Sequence, residues 1–490
     1  EYAYDDWCIA RMAEKLGDKA TAEKMYMRSL GWKNLHDTLT GFVRARRNGG
    51  FIEPFVPAQV DQNYTEANAW QYCFAQARFL SSTYGTNNQK LLQDLFVANS
   101  VLEGRQQADI TGLIGQYAQG NEPSHHMIYL LENDRLRNQY LSEVMNNFYQ
   151  NKPDGLIGNE DCGQMSAWFV LSAMGFYPTI PGDDMDAAYR IGVPLFKHVM
   201  IHFENNRSIT FTNDVADREG AYDLEGAAFP GYLSHVTLMS APELHWTKKP
   251  FGNTKLQFNS YRNNLFRSCI EKYCVAPVIR ADRISFSGKL KVRVTPYPNL
   301  TKNETYTSIS FTNPEKPNAA NAYTIISDTS TLLSISESCG VEAYTKAEIT
   351  SYENGYNGDQ KHSMLDYISS TTVAAKYVAL PAGRSIKNLS QYDNQYTAGG
   401  PDGMIDLLRG QKDWRIGGWQ GYHGKDFMAL VDLGSVQKVK RIGLGCIQEP
   451  KPWIMMPKEI EFEVSTDGIN YHALKTITPK EDAHAEEAEI

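Results

Sequence analysis

The chain of 490 residues has no apolar run long enough to span a bilayer, so no transmembrane helix is expected. It has no excess of basic residues. The formal net charge of −9 argues against nucleic acid or an anionic membrane surface as the main partner and suits a neutral ligand such as a sugar. Its 7 cysteines show neither the paired spacing of a zinc site nor the density of a disulfide scaffold. Most are expected to be buried thiols, although Cys269 and Cys274 are close enough in sequence to pair. Internal repeats and low-complexity tracts are also missing. The chain opens at Glu1 without Met, inside a helical pattern, so earlier residues of the protein are expected to precede it and the lack of a leader carries no weight.

What is present is an ordinary folded composition, 42% hydrophobic and 21% charged, on a chain long enough for about three or four domains. Residues 1 to about 180 read as helices. Helical patterns run over Asp5–Leu16, Ala20–Thr38, Ala67–Tyr84, Gln89–Glu103, Ser124–Leu131, Leu136–Phe148 and Gln164–Met174. Long Gly/Pro/Asn-rich loops separate them, and this alternation points to an α/α toroid whose polar loops gather at one rim. From about Tyr189 the period becomes two, and β-rich sequence continues to the end with interruptions near Pro242–Gly252 and Lys361–Leu380. The acidic stretch Glu481–Glu489 reads as a solvated terminus or a strand remnant.

Three loop motifs in the helical part carry chemistry. The first is Tyr64-Thr65-Glu66-Ala67-Asn68-Ala69-Trp70-Gln71-Tyr72, and the second is Gly120-Asn121-Glu122-Pro123-Ser124-His125-His126. The third runs from Pro153 to Trp168 and contains Asp154, Asn159, Glu160 and Asp161. Taken singly, an acidic residue at a helix start only caps free N–H groups and complements the helix dipole. His125 and His126 read as packing residues, with zinc ligation the far weaker alternative because no matching ligand set accompanies them. Together the motifs bring carboxylate and amide oxygens beside Trp and Tyr. Oxygen clusters suit Ca²⁺, and aromatics beside paired carboxylates suit glycoside hydrolysis.

These motifs, with Glu1-Tyr2-Ala3-Tyr4-Asp5-Asp6-Trp7 and Thr40-Gly41-Phe42-Val43-Arg44-Ala45-Arg46, resemble the catalytic domain of glycoside hydrolase family 92 from Glu1 to about Phe196. The resemblance implies a calcium-dependent, inverting exo-α-mannosidase with an (α/α)6 catalytic domain. It makes Glu66 the general acid, with Ala67 where the family usually has Gly. Asp161 becomes the general base, with Glu160 as the alternative. Asn121, Glu122 and Asp161 become the Ca²⁺ ligands, and Trp70, Gln71, His125 and Asp154 the sugar-contacting residues. Relatives preferring α-1,2 linkages carry a His-Glu pair where this chain has Tyr117-Ala118-Gln119-Gly120, which leaves α-1,3, α-1,4 and α-1,6 bonds open. Secretion, a periplasmic location or a cell-surface location follows from the family, with mannose-containing glycans such as N-glycans or yeast mannan as partners.

Further along, Tyr306–Thr350 is similar to a chitobiase-type β-sandwich, and residues 384–478 resemble a coagulation-factor 5/8 type C (discoidin) module through Trp414, Trp419, Trp453 and their neighbours. Those tryptophans are expected in a sandwich core. The expected domains are therefore residues 1–180, part of the toroid; 181–255, a β-rich part of the catalytic unit; 256–355, a sandwich; and 384–490, a discoidin-like module. A non-catalytic glycan-binding or adhesion protein built on that last module is the competing function.

Overall fold

The computed structural model of the chain describes residues 1–75, 87–104, 106–180, 189–214, 220–225, 230–255, 263–297, 305–312, 325–353, 362–380, 384–393, 396–406, 408–479 and 487–489. Among the described residues, the first 180 hold six α-helices, half the complement of an (α/α)6 ring. Tyr2–Lys15 and Lys19–Ser29 form an antiparallel hairpin. Gly17 turns the chain at a φ of +84°, and the Asp18 carboxylate then caps the second helix by accepting from the Thr21 amide at 3.0 Å. Trp7, Ala10 and Ala13 bury one stripe of the first helix, while Tyr2, Ile9, Met12 and Leu16 stand exposed on another.

Several helical expectations change in extent. The Ala20–Thr38 pattern stays α-helical only to Ser29 and tightens into a 3₁₀ turn over Gly31–Leu35. Asn87–Val97 ends before the expected Glu103. The helix expected over Ala67–Tyr84 occupies Ala69–Cys73, and its continuation lies outside the described residues. Ser124–Leu131 is not an α-helix. It is two 3₁₀ turns, Glu122–Ser124 and Ile128–Leu130, with i→i+3 bonds such as Tyr129 N to His126 O at 3.1 Å. The carbonyl a helix would use at His125 accepts from the Trp168 indole at 2.9 Å instead.

A four-stranded sheet follows in the order Ala221–Leu224, Glu243–Lys249, Ser208–Thr212, His198–His202, with one parallel pair. Its core of Ile209, Phe211, Leu244 and Trp246 packs beneath Leu171 and Met174 of the Gln164–Met174 helix. Between residues 278 and 379, sheets of three and six strands share one core, with Val292, Val294 and Leu333 from one and Val341, Ala343 and Ala375 from the other. Strand period two is explicit in Leu290–Thr295, where Leu290, Val292 and Val294 are buried and Lys291 and Arg293 exposed. The interruption expected near Lys361–Leu380 is absent. His362–Ser369 and Val373–Ala379 are strands, because the long strand Cys339–Glu353 supplies a partner for both.

The turn around Asn48 docks this β unit on the helical part. Asn48 exchanges two bonds with the Lys376 backbone at 3.0 and 2.7 Å, and a Cβ on Gly50 would come within 2.6 Å of the Ile279 carbonyl oxygen. Among the described residues beyond 384 there are three two-stranded pairings, one of them joining Gly445–Ile447 to Glu487–Glu489. Trp453 is not a core residue: it is 84% exposed on a tight turn, at a φ of +65°. Trp414 and Trp419 are half-buried. All 7 cysteines are free thiols, Cys269 and Cys274 included.

Candidate active site

The first arm of the site begins where Asn68 caps the Ala69–Cys73 helix. Its side chain accepts from Trp70 N and Gln71 N, and the Gln71 side chain accepts from Asn68 N at 3.1 Å, a reciprocal capping box. Gln71 Nε2 also donates to the Gln116 carbonyl at 3.1 Å, so both ends of this buried side chain are engaged. Trp70 meets the Phe42 ring edge-on at 4.8 Å and joins the main core. Just ahead of the cap, Glu66 is exposed and takes a left-handed φ of +52°. Ala67, fully buried, is not left-handed, so the Ala at this position strains nothing.

The second arm reaches the first directly: Asn121, 3% exposed, donates from Nδ2 to the Glu66 carbonyl at 2.6 Å. The next residue, Glu122, lies close enough to Asp161 of the third arm for the two carboxyl groups to act on each other. Burial above all, with Asp161 and then Asp109 adding their fields, pushes the Glu122 carboxyl above its ordinary range. Asp109 is held on both oxygens, by Gln107 Nε2 at 2.6 Å and Asn159 Nδ2 at 3.3 Å. It was not legible as a site residue, because only tertiary packing brings its loop beside Glu122.

In the third arm Asp161, Cys162 and Gly163 are left-handed in succession, with φ of +49°, +57° and +90°. Such a run costs conformational energy and turns the exposed Asp161 outward at the start of the Gln164–Met174 helix. Glu160 plays a different part. Its carboxylate accepts from Ser166 N at 3.0 Å and Ser166 Oγ at 2.9 Å, which caps that helix. Asp154 lies 82% exposed on a turn with Lys152 Nζ at 3.5 Å.

The histidines are engaged by backbone. His125 Nε2 lies 2.9 Å from the Gln119 carbonyl and His126 Nε2 2.8 Å from that of Phe74. Burial pulls His125 down to about 4, so it is neutral at ordinary pH. Among the described residues no group of three or more His, Cys, Asp or Glu is arranged to hold a metal ion. The oxygens that Asn121, Glu122 and Asp161 offer are hard and come without thiolate, a donor chemistry that fits Ca²⁺ completed by water or ligand oxygens rather than Zn²⁺. A cleft of about 660 Å³ lined by Arg135, Lys248, Lys249 and Phe251 contains none of these residues.

Comparison with known proteins places the chain in a family. An uncharacterised secreted glycosidase of Arthroderma benhamiae is 25% identical over 239 residues, covering 44% of this chain and 29% of that protein. A family 92 α-mannosidase of Bacteroides thetaiotaomicron, solved with mannoimidazole, is 30% identical over 51% of this chain and 36% of its own, at a TM-score of 0.45. An inverting family 92 mannosidase of the same organism shows the same identity and coverage at a TM-score of 0.42. The chain thus spans about a third of the length of the relatives it matches. The model of the glycosyl hydrolase family 92 catalytic domain matches residues 1–249, past the Phe196 limit expected from the motifs, and with more than half of its length inside that match the chain belongs to this family.

Proposed function

We propose that this chain carries the acid–base machinery of a secreted, calcium-dependent, inverting exo-α-mannosidase. The observation that carries the proposal is the Asn121–Glu66 hydrogen bond of 2.6 Å, because it joins the loop of the acid to the loop whose Glu122 meets Asp161. Glu66 protonates the departing glycosidic oxygen. Asp161 takes a proton from water attacking the anomeric carbon on the opposite face. Glu160 is already engaged in capping Ser166, which favours Asp161 as base.

Asn121, Glu122 and Asp161 would hold Ca²⁺, which when bound supplies a positive anchor for sugar hydroxyls. Tyr117 and Gln119 are fully buried and hydrogen-bonded to each other, so neither offers the contact that a His-Glu pair makes in α-1,2-preferring relatives. This supports α-1,3, α-1,4 or α-1,6 bonds as substrates. Release of mannose from an aryl mannoside and from linkage-defined mannobioses, with and without chelator, tests the reading. Full activity in excess chelator, or no mannose from any of them, counts against it.

A further inference from the structure

Beneath the Glu122–Asp161 pair lies a chain of polar groups that the acid–base assignment does not use. His125 stands three residues after Glu122, and Gln164 three residues after Asp161. Gln164 Nε2 lies 3.1 Å from His125 Nδ1 and 3.1 Å from the Tyr177 hydroxyl. The opposite ring nitrogen of His125 faces the Gln119 carbonyl at 2.9 Å. A carbonyl oxygen only accepts, so His125 Nε2 must carry the hydrogen. The ring is 2% exposed and held neutral by burial, which leaves Nδ1 as a lone pair. The side-chain amide of Gln164 is thereby oriented: its two N–H groups serve His125 Nδ1 and Tyr177 Oη. Rotated by half a turn, it would set an acceptor against an acceptor.

Tyr177, accepting from Gln164, keeps its own hydrogen to donate. The same shelf is braced from below. Gln119 Nε2 donates to the Tyr149 hydroxyl at 2.8 Å, and that hydroxyl donates to the Met165 carbonyl at 3.1 Å. Trp168 Nε1 donates to the His125 carbonyl. The titratable groups that face His125 are Asp161 and His126.

We propose that Gln164 is a positioning residue for the Glu66–Asp161 reaction, its side-chain amide holding His125 in the Nε2–H form and its backbone N–H holding the Asp161 turn. This rests on the proposed mannosidase reading for its functional half, while the lock itself is independent of it. Gln164 ties the Glu122 loop to the Asp161 turn through His125, whose backbone N–H donates to the Glu122 carbonyl at 3.0 Å, and the Gln164 backbone N–H donates to the Asp161 carbonyl at 3.2 Å. Releasing it lets the spacing of Glu122 and Asp161 drift, and a drift of about 1 Å at reacting groups costs up to about a hundredfold in rate.

The test is Gln164→Glu, nearly the same in size but with acceptors in place of both donors, and Gln164→Leu beside it as a variant without added charge. In protein labelled with ¹⁵N-histidine, His125 (assigned by its loss in His125→Asn) should be the Nε2–H tautomer in the parent chain. In Gln164→Glu, whose acceptors would face Nδ1, the ring should no longer be held in the Nε2–H form. On a cleaved mannobiose both variants should lose about tenfold or more in kcat, with KM changed far less and melting temperature nearly kept. A parent His125 in the Nδ1–H form, or variants with unchanged kcat, would overturn the proposal. If the parent chain cleaves no mannoside, the mannosidase reading fails, and the tautomer measurement alone decides whether Gln164 sets the state of His125.

Discussion

Asn121 and Glu66 stand 55 positions apart in sequence, yet the Asn121 side-chain amide donates to the Glu66 backbone carbonyl at 2.6 Å. Glu66 is left-handed, a conformation that few non-glycine residues adopt without a compensating contact. The Asn121 bond supplies one, and so ties the orientation of the proposed acid to the loop of Glu122. Replacing Asn121 by Asp puts an acceptor against that carbonyl. The expected outcome is loss of about 1–3 kcal/mol of stability, read by urea unfolding, with a larger fall in mannosidase rate than the stability loss explains.

Glu66→Gln and Asp161→Asn separate the two chemical roles. Without its acid the enzyme should fail on mannobioses yet keep much of its rate on an aryl mannoside, whose leaving group needs little protonation. Asp161→Asn should fail on both. Equal losses on both substrates for Glu66→Gln would assign Glu66 to binding or structure.

Glu160→Ala should act on stability rather than chemistry. Removal of the cap on Ser166 is expected to cost about 0.5–2 kcal/mol, with kcat largely retained. A collapse of kcat with stability intact would instead make Glu160 the base.

Ca²⁺ should bind with oxygen ligands and protect the fold. Titration calorimetry on chelator-treated protein is expected to show Ca²⁺ binding that Glu122→Gln weakens, and added Ca²⁺ should raise the melting temperature of the parent chain. An unchanged affinity in Glu122→Gln would remove Glu122 from the ligand set.

His36 sets a pH limit on stability. It is buried, its Nδ1 is 3.0 Å from the Tyr297 hydroxyl, and burial lowers its pKa from 6.5 to about 4. The unfolded chain takes up the proton first, so this contribution is complete above the ordinary histidine value and is lost as pH falls from there toward 4. Urea midpoints should drop across that window, and His36→Asn should flatten the drop. A slope that is unaffected by the substitution would place the effect on other groups, such as His125, which is lowered in the same way.

Local signals explain what was legible in the fold. Gln164–Met174 has both ends where its pattern places them, because left-handed glycines, Gly163 and Gly175, bracket it. The change to period two from about Tyr189 is equally local, and the strand Tyr189–Ile191 starts there. Ser124–Leu131 and Lys361–Leu380 were misread for the opposite reason. A distant indole takes the His125 carbonyl in the first, and a distant strand supplies the pairing in the second. Trp453 looked like core material by residue type, but its turn presents it to solvent.

The sequence by itself determined the residue types of the site, the order of its three loops and the family they belong to. Their chemistry travels with the side chains: carboxyls that can give or take protons, hard oxygens that suit Ca²⁺, and no thiolate set. Only the tertiary structure decided that Glu160 caps a helix while its neighbour Asp161 turns outward, and that Gln71 and His125 are bound on both sides. It also brought Asp109 within the field of Glu122 and joined Asn121 to Glu66. Each of these is a hydrogen bond or a Coulomb interaction between segments distant in sequence. Such contacts depend on where the folded core places the backbone, and no local pattern of residues encodes that position.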